Sequence, residues 1–403
     1  MENLFGLFIH WGIYALTEDH EQALARRDLP NAEYEKLALR FDPVRYDPDE
    51  WVRTAQAAGM KYICFTAKHH DGFCMWDTAT TGYTIMHTPY GRDVLRMLSD
   101  ACARHGMKLS LYYSLPDWHE PCAYNPASTH QWKAPHPELS DTDAYRAFVR
   151  RQLGELLTRY GKIYTLFWDI PPHIDDPSMN EYVRSLQPDI LINDRGYDAG
   201  DFSTPERSVP EGGRFTRMTE ACQSVGAQSW GYRRDEDYFT PRYLMASIDR
   251  IMAMGGSYLL NIGPDAAGEL PAPSRAILSR IGEWYNRVRP ALEGTEEDPF
   301  DYGVRSNPMV WGDGCIAVRA GGRTYLHFPG GVTSGAVYLH RYPGVPRSAV
   351  LLNTGMPLRV EEAFPPSETD ERGRARGPFL RLSGIPADRE PLLTEPTVIG
   401  IEW

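Results

Sequence analysis

Short apolar runs alternate with stretches of helical spacing through about the first 290 residues. Leu7-Phe8-Ile9-His10-Trp11 is the first run. Trp51 to Ala58 has helical spacing and is followed by Gly59, a residue suited to ending a helix. Lys61 to Ala67 is rich in β-branched and aromatic residues and predicts a buried strand. Arg92 to His105 places Val94, Leu95, Leu98 and Cys102 close to helical spacing and stops at Gly106. The cycle continues with a strand at Leu109–Tyr113, a helix at Asp141–Tyr160 ending at Gly161, and a strand at Ile163–Trp168. Met179–Leu186 is helical, Ile190–Ile192 strand-like, Pro241–Met254 helical, Ser257–Ile262 a strand and Pro273–Val288 a closing helix. Such alternation predicts a parallel sheet. The length of the repeat, and the absence of G-x-G-x-x-G after an early strand, favour a closed (β/α)8-like (TIM) barrel over an open sheet. Strands six and seven have no clear pattern between Arg195 and Trp230, where loop residues dominate.

Helical periodicity disappears after Leu292. Short alternating runs such as Cys315-Ile316-Ala317-Val318 and Thr324-Tyr325-Leu326-His327-Phe328 follow, separated by Gly and Pro. They predict a C-terminal antiparallel β-sandwich. The expected division is a catalytic α/β barrel over residues 1–292 and a sandwich over 293–403. The polar stretch Ser367 to Gly377 reads as an exposed loop.

Composition narrows the function more than the fold. The 403 residues are 42% hydrophobic and 24% charged, enough apolar material for a large core. A net charge of -12 argues against a nucleic-acid surface, which needs clustered Lys and Arg. No run approaches the ~20 apolar residues of a membrane span. Cys64, Cys74, Cys102, Cys122, Cys222 and Cys315 show no paired spacing and read as free thiols. The start, Met-Glu-Asn-Leu-Phe-Gly, lacks the basic region of a secretion leader, so a cytoplasmic location is expected. With 10 Trp, 23 Tyr and 14 Phe, the chain has aromatic faces to spare for stacking on a sugar.

Candidate chemistry gathers where the strands end, the face on which barrel enzymes place their sites. His10 closes the first strand, Lys68-His69-His70-Asp71-Gly72-Phe73 follows the second, and Tyr112-Tyr113-Ser114 ends the third. Asp169 ends the fourth and Asn193-Asp194-Arg195 the fifth. One such polar end is ordinary; five on one face call for a ligand. Asp169 follows the apolar Ile163–Trp168 directly, where an unpaired charge would be costly. A helix cap or an ion pair is the plain alternative for it. A second carboxylate could come from Glu206 or Glu220, both beyond Arg195. A paired-carboxylate glycosidase needs one ionised nucleophile and one acid. His69 and His70 with His10 and Asp71 match no established zinc pattern, so neither metal nor other cofactor is expected.

Phe5-Gly6-Leu7-Phe8-Ile9-His10-Trp11-Gly12, Lys68–Phe73, Asn193-Asp194-Arg195, Ser229-Trp230-Gly231-Tyr232 and Tyr258–Pro264 together resemble the α-L-fucosidases of glycoside hydrolase family 29. The order and approximate spacing match across almost the whole barrel portion. This resemblance implies that Asp169 is the nucleophile. It implies fucose-binding roles for His10, His69, His70, Arg195, Glu33 and either Tyr112 or Tyr113. Glu206 in Thr204-Pro205-Glu206 looks most like the acid segment, with Glu220 in reserve. Where the family usually reads Trp-Phe-Asp-Gly, this chain has Phe167-Trp168-Asp169-Ile170. Trp168 would then lie in the floor under the sugar, and the glycine suited to positive φ is lost.

The resemblance implies a retaining exo-α-L-fucosidase acting on a fucosylated oligosaccharide or glycoconjugate by double displacement. Three alternatives compete with it: a non-catalytic sugar-binding barrel, a metal-dependent hydrolase, and a glycosidase for a related sugar such as α-L-galactose.

Overall fold

The computed structural model describes residues 4–208, 213–305, 314–366 and 368–403. Seven parallel strands form one curled sheet: β1 (Phe5–Ile9), β2 (Tyr62–Lys68), β3 (Lys108–Ser114), β4 (Ile163–Asp169), β5 (Leu191–Ile192), β6 (Glu220–Ser224) and β7 (Ser257–Ile262). Their spatial order is β5-β4-β3-β2-β1-β7-β6. Between the two edge strands, isolated parallel bridges join Asn193 to Phe202, Ser203 to Thr219 and Glu206 to Cys222. The irregular stretch that hid a strand from the sequence pattern therefore occupies the space between β5 and β6.

Among the described residues six helices of ten or more residues accompany this sheet, the longest Thr142–Arg159 and Ala272–Val288. Their starts follow local chemistry. Asp141 accepts from the amides of Asp143 and Ala144, and Asp93 from that of Arg96. Such caps satisfy amides with no partner inside the helix, each worth about 1 kcal/mol. The helix expected from Trp51 begins earlier, at Pro48, because Asp47 accepts from the Glu50 amide and proline suits the first helical position. Gly106 takes φ 65 after its helix, as a helix-ending glycine should.

The strands alternate between two cores, as a period of two requires. Leu7, Ile9, Ile63, Phe65, Leu111, Tyr113, Leu166, Trp168, Leu260 and Ile262 join the large core shared with the helices. Their neighbours Phe8, Tyr62, Cys64, Tyr112, Phe167, Cys222 and Leu259 form a separate, smaller core. Strands buried on both faces carry apolar residues on each, which is why most of these read as nearly continuous runs.

Beyond Ala291 lie two antiparallel sheets. One has six strands, in order Met356–Pro357, Ser348–Leu351, Thr397–Glu402, Arg323–Phe328, Ile316–Ala320 and Glu296–Glu297. The other has four, in order Arg359–Ala363, Phe379–Ser383, Ala336–Leu339 and Val304–Arg305. Both contribute to one core that includes Leu326, Phe328, Val337, Leu339, Leu380, Leu382, Ile399 and Ile401. Buried polar contacts fasten these sheets to the helices. Glu395 receives Arg280 at 2.8 Å and also Arg287, and His327 meets Asp249 at 2.7 Å. The polar stretch expected to form a loop begins at residue 367, outside the described residues. Its remainder is largely exposed, with Thr369 bridged to Ala375. Residues 1–3, on which the reading of the N-terminus partly rests, also lie outside them. All six cysteines are free. Among the described residues no helix is long and apolar enough to cross a membrane.

Candidate active site

A pocket open to solvent sits where the smaller core reaches the C-terminal ends of the strands. Phe8 and His10 of β1 and its end, Tyr112 of β3, Phe167 and Asp169 of β4, and Cys222 of β6 line it. His69 and His70 join them from the turn after β2, Arg195 and Glu206 from the stretch after β5. Alternation settles the neighbours that the chain left ambiguous. Tyr112 and Phe167 face inward. Tyr113 and Trp168 face the helices, with Tyr113 donating to Gln152 at 2.5 Å and Trp168 donating to Asn180 at 2.9 Å. Trp168, expected in the floor, therefore lies outside the pocket and Phe167 lines it, since adjacent residues of a strand face opposite sides.

Asp169 is held from two sides in the pocket. Tyr112 donates to its Oδ2 at 2.7 Å and Arg195 Nη1 to its Oδ1 at 3.2 Å. Burial alone would push its carboxyl up; the Arg195 charge and the Tyr112 hydroxyl outweigh this and hold it below its usual value. The strand end is fixed as well. The Asn193 amide group accepts from the Trp168 N–H and donates to the Trp168 carbonyl, both at 2.9 Å. Asp169 is thus an ionised carboxylate on a rigid strand end.

The histidines are neutral, and His10 and His70 are acceptors. Burial pushes both His10 and His70 down to about 4. Ser114 donates its only hydroxyl proton to the Pro116 carbonyl at 2.7 Å, so at 2.6 Å it accepts from His70 Nδ1. His70 Nε2 is then a bare lone pair, 3.9 Å from Asp169. The same logic applies to His10. Asn261 donates its amide to the Trp230 carbonyl at 2.6 Å, leaving Oδ1 to accept from His10 Nδ1 at 2.7 Å. His69 stacks on Tyr112 with ring planes 9° apart, and its buried Nδ1 has no hydrogen-bond partner. Such acceptors suit the hydroxyl protons of a polyol.

Two carboxyl groups compete as partner to Asp169, and geometry separates them. Arg195 Nη1 donates to Glu206 Oε2 at 2.8 Å and to Asp169, which puts the nearest oxygens of the two acids no more than about 6 Å apart. The Glu206 side chain remains 39% exposed at the pocket rim. Glu220 does not reach the pocket. It is the first residue of β6, whereas Asp169 is the last of β4, and in a parallel sheet those are opposite ends. There it accepts from Tyr62 at 2.6 Å, its other oxygen unpartnered, and burial pushes it up to about 7.

That burial has a measurable consequence. Between its unfolded value of 4.5 and about 7 the folded protein keeps a proton on Glu220 that the unfolded chain has released. Stability from this group is therefore lost as the pH rises through that window. Glu220→Gln, fixed in a neutral form, should gain on wild type by on the order of 2 kcal/mol between about pH 5 and pH 8. Urea unfolding of both proteins at the two pH values checks this; a difference that does not change with pH would contradict it.

Ile170, in place of the family's usual glycine, lines the pocket with φ 62. A β-branched residue in this left-handed region is strained by about 1–2 kcal/mol. Ile170→Gly should release that strain, offset by about 0.4–1 kcal/mol from greater freedom of the unfolded chain. The expected result in chemical denaturation is a neutral to slightly stabilised protein. A loss above about 2 kcal/mol would mean that contacts of the Ile170 side chain outweigh the strain.

Glu33 is not part of the pocket; its side chain is 63% exposed and pairs with Lys36. Glu21, which no sequence pattern singled out, lines the pocket instead. Its Oε2 accepts from the Ser229 hydroxyl and the Trp230 amide, both at 2.9 Å. Burial opposes its charge, but His20 at 3.3 Å and these hydrogen bonds keep its carboxyl below the usual range. Gln22, His130 and Trp230 complete the lining. Asp71 turns away, accepting from Tyr34 at 2.9 Å, and Lys68 is buried against Asp117 at 2.6 Å. Among the described residues no group of three His, Cys, Asp or Glu is placed to hold a metal ion.

The α-L-fucosidase family model matches residues 1–288. The tissue α-L-fucosidase of Rattus norvegicus is 27% identical over 370 residues, covering 81% of this chain and 76% of the rat protein. Among solved structures, α-L-fucosidase isoenzyme 1 from Paenibacillus thiaminolyticus is 30% identical with a TM-score of 0.84, covering 99% of this chain and 96% of that one. A family 29 α-L-fucosidase from Bacteroides thetaiotaomicron is 25% identical with a TM-score of 0.78, covering 99% and 93%. An ionised carboxylate, a second acid across one arginine, and a match running through every strand of the parallel sheet agree: the chain belongs to the α-L-fucosidase family, glycoside hydrolase family 29.

Proposed function

We propose that the pocket removes a terminal α-L-fucosyl residue with retention of configuration, Asp169 acting as nucleophile and Glu206 as acid and base. In the first step an Asp169 oxygen bonds to the anomeric carbon as the bond to the leaving oxygen breaks, and Glu206 gives that oxygen its proton. In the second, Glu206 takes a proton from water, which attacks the anomeric carbon and displaces Asp169. Arg195 serves both steps. Once ester formation has neutralised Asp169, its charge faces Glu206, whose anionic form is the base. His10, His70 and Glu21 accept sugar hydroxyls, while Phe8, Phe167 and Trp230 offer an apolar wall for the fucose methyl group.

The carrying observation is the single Arg195 nitrogen bonded to both carboxyl groups. The resulting limit of about 6 Å suits the roughly 5–5.5 Å of retaining enzymes and is short of most inverting ones. The isolated bridges between β5 and β6 support a closed (β/α)8-like barrel, here assigned to residues 1–292. The shared core of the two antiparallel sheets supports a β-sandwich over 293–403 that braces it. The test is NMR of the first product formed from an aryl α-L-fucoside. Release of α-L-fucose before mutarotation is expected; initial β-L-fucose would overturn the mechanism.

A further inference from the structure

Next to the pocket stands a second aromatic surface that the chemistry above does not use. The long connection between β3 and the helix Thr142–Arg159 sends His130 into the pocket, its ring 5.4 Å from that of His70. Trp132 packs against His130 with ring centroids 4.5 Å apart. Trp132 is 61% exposed, whereas every other described tryptophan is buried or half-buried. The order from the nucleophile outward is Asp169, His70, His130, Trp132, so Trp132 lies just beyond the pocket, on the side of solvent.

This surface is held in place. Trp118 donates to the His130 carbonyl at 2.7 Å, and Asn31 to the Lys133 carbonyl at 2.8 Å. Lys133 pairs with Asp28 at 2.6 Å. Asn125 and Ser128 donate to the carbonyls of Pro172 and Pro171, at 2.7 and 2.9 Å, on the stretch that follows the nucleophile. The backbone on both sides of Trp132 is thus fixed and its indole packs on His130, so less freedom is lost when a ligand arrives, which favours binding.

We infer that Trp132, resting on His130, is the platform for the first sugar of the leaving group, so that the natural substrate carries fucose on a pyranose with an apolar face. This rests on the fucosidase reading above. The flat indole matches the C–H face of a pyranose ring, and its place beyond His130 is where a group attached to the anomeric oxygen must go.

The test compares two substrates. The first is α-L-fucosyl fluoride, whose leaving group is a single atom that cannot reach Trp132. The second is whichever fucosyl disaccharide, linked to galactose or N-acetylglucosamine, the wild type hydrolyses fastest. Trp132→Ala should lower kcat/KM for the disaccharide at least about fivefold and leave the fluoride within about twofold. Trp132→Phe should restore most of the loss. An unchanged disaccharide rate, or an equal fall for both substrates, would overturn the platform, the latter by showing that Trp132 only holds the loop. A wild type inert to the fluoride would overturn the fucosidase reading itself, and the platform with it.

Discussion

Asp169→Ala should lower kcat/KM for an aryl α-L-fucoside by at least about 10,000-fold, on the scale of losing a covalent nucleophile. The strand end should persist, because Asn193 holds the Trp168 backbone independently of the carboxylate. Arg195 keeps Glu206 and Thr204 as partners. Added azide separates a nucleophile from a residue that only orients the sugar. It occupies the space Asp169 vacates, attacks from the same face and yields the inverted β-L-fucosyl azide. A variant with near-normal turnover, or one that azide leaves untouched, would remove Asp169 from the chemistry.

The second large effect falls on Glu206. Glu206→Ala should cost about 100- to 10,000-fold with substrates whose leaving oxygen needs a proton, and far less with a dinitrophenyl fucoside. Azide should restore turnover here too, now from the ester intermediate, giving the retained α-L-fucosyl azide. The two variants thus make azides of opposite configuration. Glu220→Gln should keep full activity, since Glu220 lies at the opposite end of the strands. Equal losses with both leaving groups, and no response to azide, would place the acid elsewhere.

Much of this site was legible because the strands of the parallel sheet end where chemistry is needed. His10, Asp169 and Arg195 each follow a short apolar run, and all three line the pocket. Neighbours were harder. β3 and β4 are buried on both faces, so Tyr112 and Tyr113, or Phe167 and Trp168, are equally apolar and carry no mark of the side they take. The sixth strand escaped notice because Glu220-Ala221-Cys222-Gln223-Ser224 places polar residues inside, where Tyr62 donates to Glu220 and Asn261 to Ser224. Glu21 had no signal at all. It follows an irregular turn, and its role depends on the Ser229–Gly231 segment more than 200 residues away in the chain. Glu33, taken from the family resemblance, instead faces solvent. The exchange at position 170 was visible in the sequence, but only the backbone shows that Ile170 keeps the positive φ suited to glycine.

One measurement goes to the centre of the mechanism: peptide mapping of the protein after incubation with 2-deoxy-2-fluoro-α-L-fucosyl fluoride, which slows release of the ester more than its formation. A single fluorofucosyl group on the Asp169 side chain, lost again as activity returns, is the predicted result. Stoichiometric labelling of any other carboxylate would contradict it.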